Sequence, residues 1–376
     1  MRVLGVAKAI DANETRVALV PEVVGGILRD KLAHVVIEAS AGQRAGFSDQ
    51  DYEMVGAAIL PTRDELISRA DYILAVDGNE VLGANGLKGK TIIGLFDPFF
   101  HQDGIRAACS INATIIALEL IPRISRAQSM DVLSSQANIA GYVSVVLAAS
   151  KLPKIIPLMM TAAGTIKPAK ILVVGAGVAG LQAIATAKRM GAVVFSYDVR
   201  AAVKEQVESL GAKFVDIRVG ESGEGSGGYA KTLSEKAQQE QREKLSDIAK
   251  DMDVVITTAQ IPGRKAPVLL DERVFSLMKR DSVIIDLAAA SGGNVPGSIK
   301  NQWLRKENVW LFGADNLASL VPKDASFTFA KNMRAFLDLL LAKEELDFHD
   351  EILCDSVICH QGSYVNRAFS QMINNH

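Results

Sequence analysis

Cysteine, histidine, net charge and long apolar runs are all scarce in this 376-residue chain, and each scarcity closes off a class of function. The three cysteines, Cys109, Cys354 and Cys359, suit free thiols in a reducing compartment. Cys354, Cys359 and His360 lie close in sequence, but the spacing is wrong for a zinc knuckle and no second ligand pair accompanies them. No metal is therefore expected. The five histidines are His34, His101, His349, His360 and His376. None sits with a partner acid at useful spacing, so a histidine proton carrier of the kind most dehydrogenases use is poorly provided for. His101 lies at a strand end but reads as structural.

A net charge of −2 gives no reason to expect nucleic acid or an anionic membrane surface as partner. The longest mainly apolar stretches, 114–118 and 143–149, fall short of the roughly 20 residues that span a bilayer. The first sixteen residues scatter basic side chains without an apolar signal core, so no export signal and no direct membrane insertion are expected.

What is present is length and alternation. A chain of this size exceeds one ordinary core, and 49% hydrophobic with 22% charged residues fits a globular protein with large cores. Strands are predicted at 3–6, 35–38, 71–76, 91–96 and 114–120, with helices at 21–29, 49–56, 63–70 and 104–110. An apolar helix over 139–152 leads onward. A second series follows: strands 171–174, 193–197, 213–215, 254–258, 283–287 and 309–312, with helices 178–190, 201–210 and 233–251. The strands are continuously apolar, which marks parallel sheets covered on both faces. The expected fold is α/β, with two Rossmann-like doubly wound domains separated by a cleft: 1–137 plus 315–376, and 138–314. The helix 325–341 and the tail 352–365 are expected to return to the first domain.

The sharpest motif is Gly175-Ala176-Gly177-Val178-Ala179-Gly180, which follows the β-run KILVV and opens an apolar-faced helix. Gly175 can make the tight turn, Gly177 lets backbone approach a pyrophosphate, and Gly180 lets helix and strand pack closely. The helix N-terminus then offers N–H groups and partial positive charge to phosphates. Asp198 closes the next strand, where a carboxylate binds ribose hydroxyls and repels a 2′-phosphate. NAD(H) is expected over NADP(H), although Arg200, two residues on, could host that phosphate.

The densest polar cluster spans 122–138 and includes Arg123, Arg126, Gln128, Ser129, Asp131, Ser134 and Ser135. It begins where strand 114–120 ends, the edge at which open α/β sheets bind ligands. Such an inventory can orient a carboxamide but contains no general base. It fits equally a polar loop leading into a helix, with arginine–aspartate pairing. The Gly/Ser-rich segment 218–231, ending near Tyr229, reads either as a surface loop or as a lid over bound ligand.

These runs, PRISRAQSMDVLSSQANIAGY (122–142), MTAAGTIKPAKILVVGAGVAGLQAIATAKRMGA (160–192), VKEQVESLGAKF (203–214), SGGYAK (226–231) and TTAQIPGRKAPVL (257–269), closely resemble the NAD(H)-binding component of proton-translocating NAD(P) transhydrogenase, in the form of the separate soluble alpha subunit of bacterial three-polypeptide versions. The likeness is dense over 118–294, looser before it, where residues 14–18 and 21–22 stand out, and weak after 309. The resemblance implies direct hydride transfer between NAD(H) and NADP(H), the latter held by a partner subunit. Arg123, Gln128, Asp131 and Ser134 would then position the nicotinamide. Arg126, Gly175, Gly177, Val178, Gly180, Asp198, Val199, Arg200 and Ala259 would contact the cofactor, and Gly228 and Tyr229 would belong to a mobile lid. It also implies a homodimer, membrane-spanning and NADP(H)-binding partner subunits, and a cytoplasmic place beside the inner membrane. The related alanine dehydrogenases call for a lysine in the strand 71–76 and a histidine ending the strand 91–96. Here Ala75 and Phe96-Asp97 fall at those points, and Arg16 alone remains of that substrate-binding set. Gln260 stands where the transhydrogenases usually carry leucine. A substrate-level dehydrogenase and a non-catalytic NAD-sensing module are the competing readings.

Overall fold

The computed structural model describes residues 1–217, 234–261 and 263–374. The chain divides into two compact units, residues 1–136 with 319–376, and residues 137–318. The strands in chain order are β1 (Val3–Val6), β2 (His34–Glu38), β3 (Ala58–Leu60), β4 (Tyr72–Asp77), β5 (Thr91–Leu95), β6 (Thr114–Ala117), β7 (Met159–Thr161), β8 (Gly164–Ile166), β9 (Lys170–Val174), β10 (Val193–Tyr197), β11 (Lys213–Phe214), β12 (Val254–Thr257), β13 (Ser282–Asp286), β14 (Gln302–Lys306), β15 (Val309–Gly313), β16 (Val357–His360) and β17 (Ser363–Tyr364).

The first unit holds an eight-stranded sheet ordered β17-β16-β6-β5-β4-β1-β2-β3. Strands β1 to β6 are parallel, while β16 adds antiparallel to β6 and β17 to β16. Strand order reverses at the β1/β4 pair, which makes it the switch point beside which such sheets bind ligands. Burial explains the composition: in β4, Tyr72 to Val76 are all buried, as are all four residues of β6. Helix Pro21–Arg29 begins with proline, whose missing N–H is no loss at a helix start. Helix Asp49–Met54 carries a reciprocal capping box between Ser48 and Asp51. Helix Pro322–Leu340 buries Phe329, Met333, Phe336, Leu337 and Leu340 in this unit's core, a helical-period stripe.

The second unit holds a seven-stranded sheet ordered β11-β10-β9-β12-β13-β15-β14. All neighbours are parallel except the edge pair β14/β15. Its switch point is β9/β12. Strands β12 and β13 are buried throughout, as a sheet covered on both faces requires. The short hairpin β7/β8 stands apart from this sheet with its residues exposed.

The predicted strand 114–120 is shorter than expected, because Leu118–Leu120 turn into a 3-10 helix. The predicted helix 139–152 starts earlier, as Val132–Lys151. With its added first turns it reaches the length and composition of a membrane-crossing helix, as core helices of globular proteins also do. It is also a packed helix. Gln136 and Ser144 are buried, and Gln136 hydrogen-bonds Arg16, Ala325 and Thr328. A methyl group at Gly141 would come 2.2 Å from the Ala179 carbonyl oxygen.

Candidate nucleotide-binding site

In the second unit the glycine turn connects β9 to helix Val178–Arg189. Gly175 has φ +102°, a region open to glycine, and its N–H donates to Tyr197 O at 2.8 Å. A Cβ on Gly180 would lie 1.8 Å from Gly175 O, so helix and turn meet there with no room for a side chain. Gly177 differs from both. Its φ of −78° suits any residue, and a Cβ would meet nothing within 4 Å. Neither backbone nor packing demands glycine at Gly177, which borders open space in front of the helix N-terminus. That end has no side-chain cap, so its first N–H groups face outward, as an approaching phosphate requires. Val178, in the first turn, is 37% exposed.

Asp198 follows β10 directly. Its Oδ2 accepts from Ala176 N at 2.7 Å, tying the carboxylate to the glycine turn. Val199 is partly buried among the core of this unit. Arg200 closes on Asp198 through its own N–H, Nε and Nη2, at 2.9, 2.8 and 2.7 Å. That hydrogen-bonded partner holds the guanidinium pKa above its ordinary value. Ala259, just past β12, exchanges two hydrogen bonds with the Asn294 side chain, at 3.1 and 2.9 Å.

In the first unit, residues 122–136 form a 3-10 turn, Ser125–Met130, running into helix Val132–Lys151. Asp131 caps that helix: Oδ1 accepts from Ser134 N at 2.8 Å and Oδ2 from Ser134 Oγ at 2.6 Å. Asp131 and Ser134 are thus brought together. Helix Pro322–Leu340 supports the turn from behind, with Asn332 Nδ2 donating to Ser129 O at 2.7 Å. Arg123 and Gln128 are exposed on the loop. The arginine–aspartate pairing expected within the loop is not made by Arg126, which instead forks Asp350 at 2.7 and 2.8 Å. Gly228 and Tyr229 lie outside the described residues.

The β1/β4 switch point of the first unit carries a shallow recess, too tight to enclose a water molecule, lined by Ala7, Lys8, Arg16, Ala75, Asp77 and Glu80 among others. Arg16 is 7% exposed, and its guanidinium is engaged throughout: Nε and Nη2 donate to Glu14 at 2.8 and 2.6 Å, and Nη1 to Gln136 at 2.8 Å. Ala75 presents only a methyl group.

Comparison with known proteins places this arrangement. The model of the alanine dehydrogenase/PNT N-terminal domain matches residues 5–140, and that of the C-terminal domain matches residues 144–367. The chain belongs to the alanine dehydrogenase/PNT family. Within it the likeness is to transhydrogenase alpha subunits. The chain is 44% identical over 359 residues to the first portion of the divided NAD(P) transhydrogenase alpha subunit of Rickettsia prowazekii, covering 94% of each chain. The structure of a transhydrogenase from Sinorhizobium meliloti superposes with a TM-score of 0.84 at 39% identity, over 98% of this chain and all of that one. An L-alanine dehydrogenase structure superposes nearly as well, TM-score 0.83 over 99% of each chain, but at 23% identity it shares the fold alone.

Against that family background three residues matter that sequence reasoning passed over. Asp286 ends β13 fully buried. It accepts from Thr257 Oγ1, Ala288 N, Asn294 N, Val295 N and Ser298 Oγ, pinning the loop that carries Asn294. Asn294 in turn fixes Ala259 and Pro267. The available signal was an acid closing an apolar strand. Glu119 has the same signature after β6. Its Oε1 accepts from Phe96 N and Asp97 N, both at 2.6 Å, while Oε2 is enclosed with no hydrogen-bond partner among the described residues. Burial pushes its pKa up to about 7, against the pull of those N–H groups. Gln260, the departure from the transhydrogenase pattern, spends its side-chain amide on Leu287 O at 2.9 Å.

Proposed function

We propose that this chain is the NAD(H)-binding component of a proton-translocating transhydrogenase, holding its dinucleotide for direct hydride exchange with NADP(H) carried by a partner subunit. The observation that carries this reading is Arg16. A 2-oxo acid needs an available cation for its carboxylate and a proton carrier beside the reacting carbon. Here the Arg16 guanidinium is already taken by Glu14 and Gln136, and Ala75 offers no amine. Transhydrogenation needs neither, since hydride passes between two nicotinamides with no proton moved in that step. Bound NADH would supply the hydride from its dihydronicotinamide ring.

The residues then divide by task. Gly177 and the first turn from Val178 receive the pyrophosphate, on a turn shaped by Gly175 and Gly180, and Asp198, flanked by Val199 and Arg200, takes the adenosine ribose. Ala259 is held in place by Asn294. Arg123, Gln128, Asp131 and Ser134 orient the nicotinamide, with Arg126 anchored beside them on Asp350. Their work is positioning, and a near-attack geometry is where the rate enhancement comes from. The protein acts as a homodimer at the cytoplasmic side of the membrane, docked on membrane-spanning and NADP(H)-binding subunits.

Reconstitution tests the reading. The purified chain mixed with those subunits should support hydride exchange between NADH and an NADP analogue, and no exchange would refute it. A second reading, an alanine-dehydrogenase-type enzyme, is supported by the fold shared with an L-alanine dehydrogenase structure. Pyruvate- and ammonia-dependent oxidation of NADH by the isolated chain would establish that reading instead.

A further inference from the structure

The Asp198 carboxylate has no acceptor capacity left for a nucleotide. An ionised carboxylate offers about four lone-pair sites. Oδ2 is occupied by Ala176 N and Arg200 Nη2, and Oδ1 by Arg200 N and Nε. Two of these donors, the N–H groups of Ala176 and Arg200, are backbone and are fixed by the glycine turn and by the loop after β10. The other two belong to one guanidinium on a flexible stem. They present a two-pronged donor to the carboxylate, much as two adjacent ribose hydroxyls would. The Asp198 and Arg200 side chains are only 6% and 18% exposed, so water screens this pair weakly.

We propose that Arg200 is a specificity-determining guard. Its guanidinium holds the place of the adenosine ribose diol on Asp198, and nucleotide binding exchanges one for the other. Two consequences follow for the dinucleotide preference. For NADH, binding must break the ion pair before the diol can be seated, so Arg200 weakens affinity. For NADPH, the displaced guanidinium remains two residues from Asp198, where it attracts the 2′-phosphate that Asp198 repels. Arg200 therefore narrows the discrimination that Asp198 alone would impose. The inference rests on the dinucleotide reading above.

Calorimetric titration of the full-length chain with NADH, and separately with NADPH, tests it. Arg200→Met should bind NADH about threefold to tenfold more tightly, the range for a partly screened forked ion pair, and NADPH more weakly. Arg200→Lys, which keeps the charge but loses the fork, should fall between. Asp198→Asn should weaken NADH binding in both the native and the Arg200→Met backgrounds. If the unaltered chain binds NADH and neither Arg200 variant tightens it, the guard is wrong and the dinucleotide site stands. If the unaltered chain binds no NADH, the dinucleotide reading is wrong and the guard falls with it.

Discussion

Glu119 sets a measurable pH dependence. Its carboxyl is held between the Phe96 and Asp97 N–H groups on one oxygen and an enclosed space on the other, where no described residue offers a hydrogen bond. Folding raises its pKa from 4.5 to about 7 through burial, helped by the nearby Asp97 carboxylate and opposed by the backbone donors. The folded protein therefore binds this proton more tightly than the unfolded chain. Stability from the group is full below pH 4.5, declines as pH rises from there to about 7, and is level beyond. At about 1.4 kcal/mol per pKa unit the whole effect is about 3.4 kcal/mol, of which about 2.5 accrues between pH 5 and pH 8. Glu119→Gln keeps an acceptor for both N–H groups and never ionises. The variant should gain on the native protein by about 2.5 kcal/mol over that interval, read from urea unfolding at pH 5, 6, 7 and 8. Direct titration of the Glu119 carboxyl by carbon NMR should give a midpoint near 7. A stability gap that stays level across these pH values, or a carboxyl titrating near 4.5, would refute the reasoning.

The remaining predictions concern the nucleotide site and its support. Gly177→Ala should leave stability within about 0.5 kcal/mol, because the position is unstrained and open, yet weaken NADH binding tenfold or more. Gly180→Val should weaken it at least as much and lower thermal stability as well, since its Cβ would overlap Gly175 O. Unchanged NADH affinity in Gly177→Ala would show that no phosphate approaches there. Asp131→Asn keeps an acceptor for Ser134 N but cannot reproduce both existing contacts of the carboxylate. It should slow hydride transfer in the reconstituted complex by tenfold or more with NADH affinity largely intact; lost affinity with normal turnover contradicts the positioning role. Asp286→Ala strands four donors in the interior, the Ser298 hydroxyl alone keeping an acceptor in Val295 O, and should lower unfolding free energy by about 3 kcal/mol or more, visible as a shifted urea midpoint.

Much of this protein was legible in one dimension because local patterns carried it. Continuous apolar runs such as KILVV and VVIT, short and rich in β-branched residues, read as interior parallel strands, and the structure makes them β9 and β12. The glycine turn could be read because Gly175 and Gly180 are demanded by a backbone conformation and a close approach that short-range sequence implies. The helix Pro21–Arg29 was bounded by its own proline and charge pattern. What sequence could not supply were partners far apart in the chain. Nothing near Arg126 announces Asp350, nothing near Glu119 announces the Phe96 and Asp97 amides, and Arg16 shows its engagement with Gln136 only once β1 and helix Val132–Lys151 are placed. The antiparallel edges β14, β16 and β17 were missed for a related reason, because short edge strands are defined by the neighbour they pair with rather than by their own composition. Sequence alone thus determined that a doubly wound, dinucleotide-type unit exists and where its turn lies. Tertiary structure decided the charge state and availability of the groups around it, because desolvation and long-range hydrogen bonding arise only when distant segments meet.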